Sequence, residues 1–310
     1  MEVFWQLLKS ARPRQWVKNL ALFPALIFSG LLFHPGLFWI TVKAALTFSL
    51  MAGSIYIFND LTDLEADKLH PFKRKRPIAS GRLPLPVAVF ACLSGVMLAL
   101  GLATTINLFF FLTLLAYLVI QIFYTFIFKK QPILDVLTIA SGYILRVYAG
   151  AFAINAHMDV WFLLTVISAS LFLAIGKRRS ELTLLRGSGT TAQIRSTLKR
   201  YTEPLLDVYT AMFATATWLT YAIFTFNQPR IIPGGKVLTI MSLLPRTLVL
   251  EKLLMITSPL VIYGVMRYLL LIYERNEGES PERVFLSDRP LIITVVVWGI
   301  LVVGLLYYVG

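Results

Sequence analysis

Long apolar stretches alternate with short polar ones along the chain, and nine of them are long enough to form membrane-spanning helices. A bilayer core is crossed by about 20 helical residues. Backbone polar groups inside lipid must be hydrogen-bonded within the segment, so we expect helices rather than open strands. The predicted spans are 16–33, 38–58, 85–102, 108–128, 133–153, 160–175, 205–226, 253–273 and 291–309. The pattern predicts an all-α, polytopic membrane protein with one transmembrane domain over residues 1–310, since no linker interrupts it.

The composition supports this class. Of the 310 residues, 57% are hydrophobic and only 15% are charged, which excludes an ordinary soluble domain. The single cysteine, Cys92, lies inside the third predicted span and is expected to be a small buried residue. One cysteine excludes a disulfide framework and a cysteine-rich metal site.

Positive charge is concentrated in alternate loops. With the N-terminus inside, the inner segments hold 22 of the 29 Lys and Arg residues. Basic residues favour the cytoplasmic side of a membrane, so we expect a cytoplasmic N-terminus and, after nine crossings, an external C-terminus. Because this bias explains most of the net charge of +13, the basic residues indicate contact with the lipid bilayer and no nucleic-acid binding.

Three aspartates, Asp60, Asp63 and Asp67, directly follow the second predicted span. If the helix continues, they lie within about 60° of one another on one face, with Asn59 beside them and Glu65 about 140° away from Asp60. Such carboxylates repel one another unless cations lie between them. Magnesium prefers carboxylate oxygens together with water and substrate phosphates. This face is therefore predicted to hold Mg²⁺ and, through it, a diphosphate.

The alternative is a solvated helix end whose carboxylates are neutralised by Lys68, Lys73 and Arg74. The two interpretations differ in whether the acids face the protein interior or water. Charges at membrane depth are costly and usually functional, which favours the metal site.

The segment "NDLTDLEAD" has the N-D-x-x-D-x-x-x-D pattern and resembles the first aspartate-rich motif of the UbiA superfamily of intramembrane prenyltransferases. The following "RPIASGRL" resembles a characteristic loop of that superfamily, and nine helices match its fold. Typical members carry a second motif, D-x-x-x-D, after the sixth helix, where this chain has "GKRRSEL". With "RPRQWVKN", "HPFKRKRPIASG", "YTFIFKKQPILD", "GYILRVYAG" and "SDRP", the chain resembles the decaprenyl-phosphate phosphoribosyltransferase branch.

The resemblance implies a magnesium-dependent glycosyltransferase of the cell membrane. Members of this branch move 5-phosphoribose from phosphoribosyl diphosphate to a polyprenyl phosphate and release diphosphate, in the synthesis of cell-wall or glycolipid precursors. The active site is then expected on the cytoplasmic side. The metal would be held by Asp60, Asp63 and Asp67 with help from Asn59, and phosphates by Arg74, Arg76 and Lys129.

The departure from the second acidic motif leaves Lys177, Arg178 and Glu181 after the sixth predicted span. Lysine and arginine bind phosphate through charge-assisted hydrogen bonds. These cations therefore suit a second phosphate, either that of the lipid or the ribose 5-phosphate. The alternative is a basic helix end on the inner side.

Further candidate substrate-binding residues come from the fourth and fifth predicted spans. Tyr124, Lys129 and Asp135 bracket the turn between these spans, although a snorkelling lysine and an interfacial tyrosine would fit the same pattern. Arg146 lies 11 residues beyond Asp135, about 16 Å by helical rise. Because an arginine facing lipid at that depth costs several kcal/mol, we expect it to face an internal polar cavity.

The N-terminal segment adds Lys18 as a candidate, whereas Arg12 and Arg14 are expected to be membrane-surface charges. Two other functions stay open. One is a true prenyltransferase that acts on an aromatic or lipid acceptor, and the other is a transporter of an anionic lipid. Small residues such as Gly142 and Gly150 would allow close contact between helices, so the chain is compatible with an oligomer.

Overall fold

Helices make up nearly all of the described chain. The structure is a computed structural model that describes residues 2–69, 73–187, 200–229, 252–275 and 281–309. The α-helices in chain order are α1 (Glu2–Ser10), α2 (Phe23–Phe28), α3 (Pro35–Thr62), α4 (Leu64–Leu69), α5 (Leu85–Thr104), α6 (Leu108–Phe126), α7 (Leu134–Ala153), α8 (Val160–Gly187), α9 (Glu203–Asn227), α10 (Ser258–Arg275), α11 (Pro281–Ser287) and α12 (Arg289–Gly304). Short 3₁₀ helices cover Pro13–Leu22, Lys73–Lys75, Phe128–Lys130 and Leu253–Thr257. No β-strand occurs within these ranges, which confirms the all-α prediction.

Seven helical stretches in the described part of the chain are long and apolar enough to cross a membrane. They are Pro35–Thr62, Leu85–Thr104, Leu108–Phe126, Leu134–Ala153, Val160–Thr183, Leu253–Glu274 and Arg289–Val309. Several present large apolar side chains outward, among them Phe90, Met97 and Ile300. Such surfaces suit contact with lipid, and the chain is a multi-pass membrane protein.

The predicted number of nine spans is not confirmed, for two physical reasons. The predicted span 16–33 forms the 3₁₀ helix Pro13–Leu22 and the six-residue α2, in which Pro24 occupies the first turn and provides no backbone amide. Helix α9 has 25 residues, but its several threonines make it less apolar than the seven candidate spans.

The starts of several helices are fixed by polar caps. Asn107 accepts a 2.8 Å hydrogen bond from the amide of Phe110 at the start of α6, and Asp288 accepts one of 3.0 Å from Leu291 at the start of α12. His34 caps α3 in the same way. These caps satisfy amides that have no partner within the helix, and they give His34 a structural role.

The first of two compact units is built on Met1–His157. Its core packs α3, α5, α6 and α7 around fully buried side chains such as Phe48, Leu114 and Tyr117. Close backbone approach requires glycine at Gly150, where a Cβ would lie 1.9 Å from the carbonyl oxygen of Leu22. The glycine therefore serves a contact between α7 and the N-terminal 3₁₀ helix of the same chain.

The second unit is built on Met158–Gly189 and Tyr201–Gly310. Phe172, Tyr268 and Leu271 lie in its core. Arg267 of α10 makes two hydrogen bonds, of 3.1 and 2.7 Å, to the carboxylate of Asp288. Asp288 thus neutralises a charge within a candidate span while it caps α12. The single domain over residues 1–310 stays a prediction.

Candidate active site

The acidic motif begins inside α3 and continues beyond its end. Helix α3 runs to Thr62, so Asn59 and Asp60 lie in its last turn, while Asp63 is its C-cap residue. Asp67 lies in the separate short helix α4. We call Asp60, Asp63 and Asp67 the acidic cluster. The apolar helix passes directly into this cluster, as the sequence predicts, but a break at Asp63 replaces the expected continuous helix.

Asp60 and Asp67 accept hydrogen bonds from the same nitrogen atom. Nη1 of Arg76 lies 3.0 Å from Oδ1 of Asp60 and 2.6 Å from Oδ2 of Asp67. Both aspartates are only 3% exposed, so they face the protein interior and do not form a solvated helix end. Arg76 is brought to them by the loop that follows α4.

Arg12 binds the acidic cluster from the N-terminal side. Its Nη2 atom donates a 2.5 Å hydrogen bond to Oδ1 of Asp60, and its guanidinium lies 5.1 Å from the ring centre of Tyr56. The expectation that Arg12 is a membrane-surface charge is therefore wrong. The side chain turns inward because Arg12 has a left-handed backbone conformation (φ 53°) between α1 and Pro13, which spacing along the sequence does not reveal.

Asp63 has a different cation. Nζ of Lys129 donates a 2.8 Å hydrogen bond to Oδ1 of Asp63, and Asn59 accepts one of 2.6 Å from the hydroxyl of Thr125. The sequence predicts that all three carboxylates lie on one face of a continuous helix. Because α3 ends at Thr62, Asp63 instead turns toward the loop after α6.

The donor chemistry of Asp60 and Asp67 fits a magnesium ion. Two buried carboxylate oxygens converge on one cationic atom, Nη1 of Arg76, and carboxylates are ligands that Mg²⁺ accepts. Across the described residues, no three Asp, Glu, His or Cys side chains form a ready-made metal site. The arrangement therefore offers two converging ligands, with Asp63 directed to Lys129.

The turn between α6 and α7 contributes two further candidates. Asp135 is 1% exposed in the first turn of α7, and Tyr124 is half-buried near the end of α6. Ile133, just before α7, has a φ of 67°, which is rare and strained for a β-branched residue. This turn carries backbone strain next to the loop that provides Lys129, as functional loops often do.

Arg146 is buried, as expected, but among protein groups. It donates to Oδ1 of Asn19 at 2.8 Å, to the carbonyl of Gly142 at 2.5 Å and to the hydroxyl of Tyr117 at 3.0 Å. Its guanidinium also lies 5.2 Å from the ring centre of Phe48. These contacts connect α7 to α6 and to the N-terminal 3₁₀ helix.

The remaining candidates of the first unit lie nearer the surface. Lys18 bonds Gln15 at 3.4 Å and lies 6.0 Å from the ring centre of Tyr143. Arg74 is exposed in the short 3₁₀ helix after α4. Glu65 is exposed and pairs with Lys68, which confirms that it points away from Asp60.

In the second unit, Lys177, Arg178 and Glu181 form one group on α8, which we call the α8 cluster. Nζ of Lys177 lies 3.9 Å from Glu181, and Arg178 also pairs with Glu181. Arg178 is 1% exposed although it carries a full charge. The three named side chains, two cations and one acid, together carry a net charge of +1.

Arg179, which sequence analysis did not single out, has a structural role. Its Nε donates a 2.6 Å hydrogen bond to Asp207 of α9, which also accepts one of 2.9 Å from the hydroxyl of Tyr273 in α10. A carboxylate oxygen of Glu203 lies 3.6 Å from Nη2 of Arg179. Lys177, Arg178 and Arg179 are consecutive, and Arg179 is the one that connects helices α8, α9 and α10.

The fold and the acidic cluster define a class: a helical, multi-pass membrane protein in which buried carboxylates pair with cations at the end of an apolar helix. The chain belongs to the UbiA prenyltransferase family, which residues 21–287 match. Its helices superpose on a UbiA homologue from Archaeoglobus fulgidus that was solved with GPP and Mg²⁺. The TM-score is 0.67 at 20% identity over 97% of this chain and 99% of that one, which shows the shared fold.

Two relatives narrow the comparison within the family. Decaprenyl-phosphate phosphoribosyltransferase from Corynebacterium glutamicum is 31% identical over 97% of this chain and 86% of its own length. The protein of the same name from Mycolicibacterium smegmatis is 34% identical over 94% of this chain and 89% of its own. The chain is thus similar to these enzymes along nearly its whole length.

Proposed function

We propose that this protein transfers 5-phosphoribose from phosphoribosyl diphosphate to a polyprenyl phosphate. An oxygen of the lipid phosphate forms the new bond to C1 of the ribose. The bond between C1 and the diphosphate breaks, and the diphosphate leaves with the electron pair. The lipid phosphate is already an anion, so the step needs no general base. This fits a chain with three histidines, of which His34 is a helix cap.

The α8 cluster is the observation that carries this proposal. A prenyltransferase with two metal–diphosphate motifs needs carboxylates after the sixth helix, whereas Lys177 and Arg178 supply positive charge there. We assign these cations to a phosphate, of the lipid or of the ribose 5-position, with Glu181 orienting them. The likeness to the two named phosphoribosyltransferases supports the same substrate class.

Asp60 and Asp67, with Asp63 and Asn59 nearby, would hold Mg²⁺ on the diphosphate of the donor. When bound, the metal ion would stabilise the charge that develops on the leaving diphosphate. Arg76 and Lys129, now paired with these aspartates, are suited to bind the same phosphate oxygens, and Arg74 extends this basic surface. We assign Tyr124 and Asp135 to the wall of the donor site.

In this proposal, Arg146 and Lys18 have a structural role in the first unit. Arg146 fixes Asn19 and thereby the 3₁₀ helix that contains Lys18. We infer a cytoplasmic position for the N-terminus and the acidic cluster, because the donor is a water-soluble sugar diphosphate and the basic segments favour that side. The lipid substrate would reach the site from the bilayer.

A reconstituted assay tests the proposal. Purified protein is given labelled phosphoribosyl diphosphate, polyprenyl phosphate and Mg²⁺, and a labelled lipid is expected together with released diphosphate. Parallel samples contain a prenyl diphosphate and a non-phosphorylated aromatic acceptor. Turnover in the second mixture alone would reject the proposed function in favour of prenyl transfer.

The metal requirement is tested in the same assay. Removal of divalent cations with a chelator should abolish product formation, and added Mg²⁺ should restore it. Full activity in the presence of excess chelator would contradict a metal-bound diphosphate while leaving the substrate assignment intact.

A further inference from the structure

Each aspartate of the acidic cluster is paired with a protein cation. Asp60 pairs with Arg12 and Arg76, Asp67 with Arg76, and Asp63 with Lys129. Each of the three carboxylates therefore has a protein cation beside it within the described part of the first unit. A divalent metal alone would compete with these cations for the carboxylates, whereas a metal that arrives with a diphosphate also supplies the cations with a new anionic partner.

Arg12 uses few of its hydrogen-bond donors on the acidic cluster. Within the described chain, its guanidinium hydrogen-bonds Asp60 through Nη2, and an arginine has five N–H donors. Its side chain is 26% exposed, whereas that of Asp60 is 3% exposed. The guanidinium thus holds a buried carboxylate with one edge and has donors left for a second anion.

The backbone around Arg12 is built to aim this side chain. The residue has a φ of 53°, which costs about 1 kcal/mol or more for a residue with a Cβ. The turn is fixed by hydrogen bonds from Gln15 to the carbonyl of Arg12 and from the indole of Trp16 to the carbonyl of Ala11. Ala11 packs so closely on α3 that a Cβ at Gly53 would lie 3.3 Å from it.

We propose that Arg12 belongs to the donor site. It neutralises Asp60 while the site holds no diphosphate, and it transfers its hydrogen bonds to the diphosphate when donor and metal bind together. The inference deepens the proposed function, on which it rests because it requires a diphosphate donor. Its consequence is that metal ions bind the protein weakly by themselves and strongly together with diphosphate.

Binding of Mn²⁺ to the purified full-length protein tests this, by electron paramagnetic resonance with and without inorganic diphosphate. Arg12→Ala should bind Mn²⁺ about tenfold more tightly than wild type in the absence of diphosphate, because a competing charged hydrogen bond is removed. Diphosphate should then strengthen Mn²⁺ binding less in the variant than in the wild type. Arg14→Ala is the matched control, since Arg14 is exposed two residues away, and it should behave as wild type.

A conservative variant separates charge from folding. Arg12→Lys keeps a cation beside Asp60 and should keep the weak binding of Mn²⁺ alone. If Arg12→Ala does not fold, Arg12→Gln provides the neutral side chain. Equal Mn²⁺ affinities of wild type and of the folded neutral variant, with and without diphosphate, would overturn the role of Arg12.

The wild type separates this inference from the proposed function. If diphosphate does not strengthen Mn²⁺ binding to wild-type protein, the metal–diphosphate site itself fails. If the wild type shows this linkage and the neutral Arg12 variant shows it unchanged, only the inference about Arg12 fails. Transfer of labelled phosphoribose remains an independent test of the substrate.

Discussion

Lys129 donates a 2.8 Å hydrogen bond to Asp63, and this ion pair joins the C-terminal end of α3 to the loop after α6. If both residues belong to the donor site, Lys129→Ala should lower phosphoribosyl transfer about 10- to 100-fold, as expected for a charged hydrogen bond. Steady-state assays check this. Lys130→Ala removes an exposed neighbouring charge and should retain activity. An equal loss in both variants would indicate a general effect of the basic loop.

Asp67 and Glu65 offer a matched pair of acids in the same short helix. Asp67 is buried against Arg76, whereas Glu65 is exposed and pairs with Lys68. Asp67→Asn should reduce turnover at least about 100-fold, because it removes a carboxylate that would hold the metal. Glu65→Gln should leave turnover unchanged. Activity measured across a range of Mg²⁺ concentrations checks both, and near-normal activity of Asp67→Asn would exclude it as a metal ligand.

Arg146 is predicted to act on stability. Its three hydrogen bonds and its contacts with aromatic rings hold α7, α6 and the N-terminal 3₁₀ helix together. Arg146→Leu should lower the free energy of unfolding by about 2–4 kcal/mol. Thermal unfolding in detergent checks this. A variant with unchanged thermal stability but no activity would instead make Arg146 a substrate-binding residue, the role that the sequence predicts.

Gly150 tests the packing of the first unit. A Cβ there would lie 1.9 Å from the backbone oxygen of Leu22, an atom that no side-chain rotation can move. Gly150→Ala should therefore lower the free energy of unfolding by about 1–3 kcal/mol. Gly101→Ala is the control, because a Cβ at Gly101 meets nothing within 4 Å, and it should stabilise α5 by up to ~1 kcal/mol. Equal stabilities of the two variants would mean that Leu22 and Gly150 do not pack as described.

Hydrophobic length predicts most of the fold, since the predicted spans from 85–102 to 160–175 each fall on one helix. Hydrophobic length fails as a predictor where backbone conformation and buried polar contacts, rather than apolar content, determine where a helix begins and ends. Residues 16–33 are predicted to form one span, yet Asn19 is a buried polar residue hydrogen-bonded to Ser49 and Arg146. A new helix begins at Phe23, with Pro24 in its first turn. A count of apolar residues does not detect either feature.

In the candidate site, too, the sequence predicts some features, whereas others depend on tertiary contacts. The spacing predicts three acids on one helical face, and the structure buries two of them, Asp60 and Asp67. The depth of Arg146 predicts an inward-facing side chain, and the structure buries it among protein groups. The helix end that directs Asp63 to Lys129, and the left-handed turn that directs Arg12 to Asp60, depend on tertiary contacts between residues far apart in the chain. Such pairs become visible only in three dimensions.

The most direct test of the central claim is an experimental structure of the protein with phosphoribosyl diphosphate and Mg²⁺. We predict density for the sugar diphosphate and one or more metal ions beside Asp60 and Asp67, with Arg12 moved from Asp60 to a phosphate oxygen. Density for the donor away from both aspartates, or a site that accepts a prenyl diphosphate and not the sugar diphosphate, would contradict the proposed phosphoribosyl transfer.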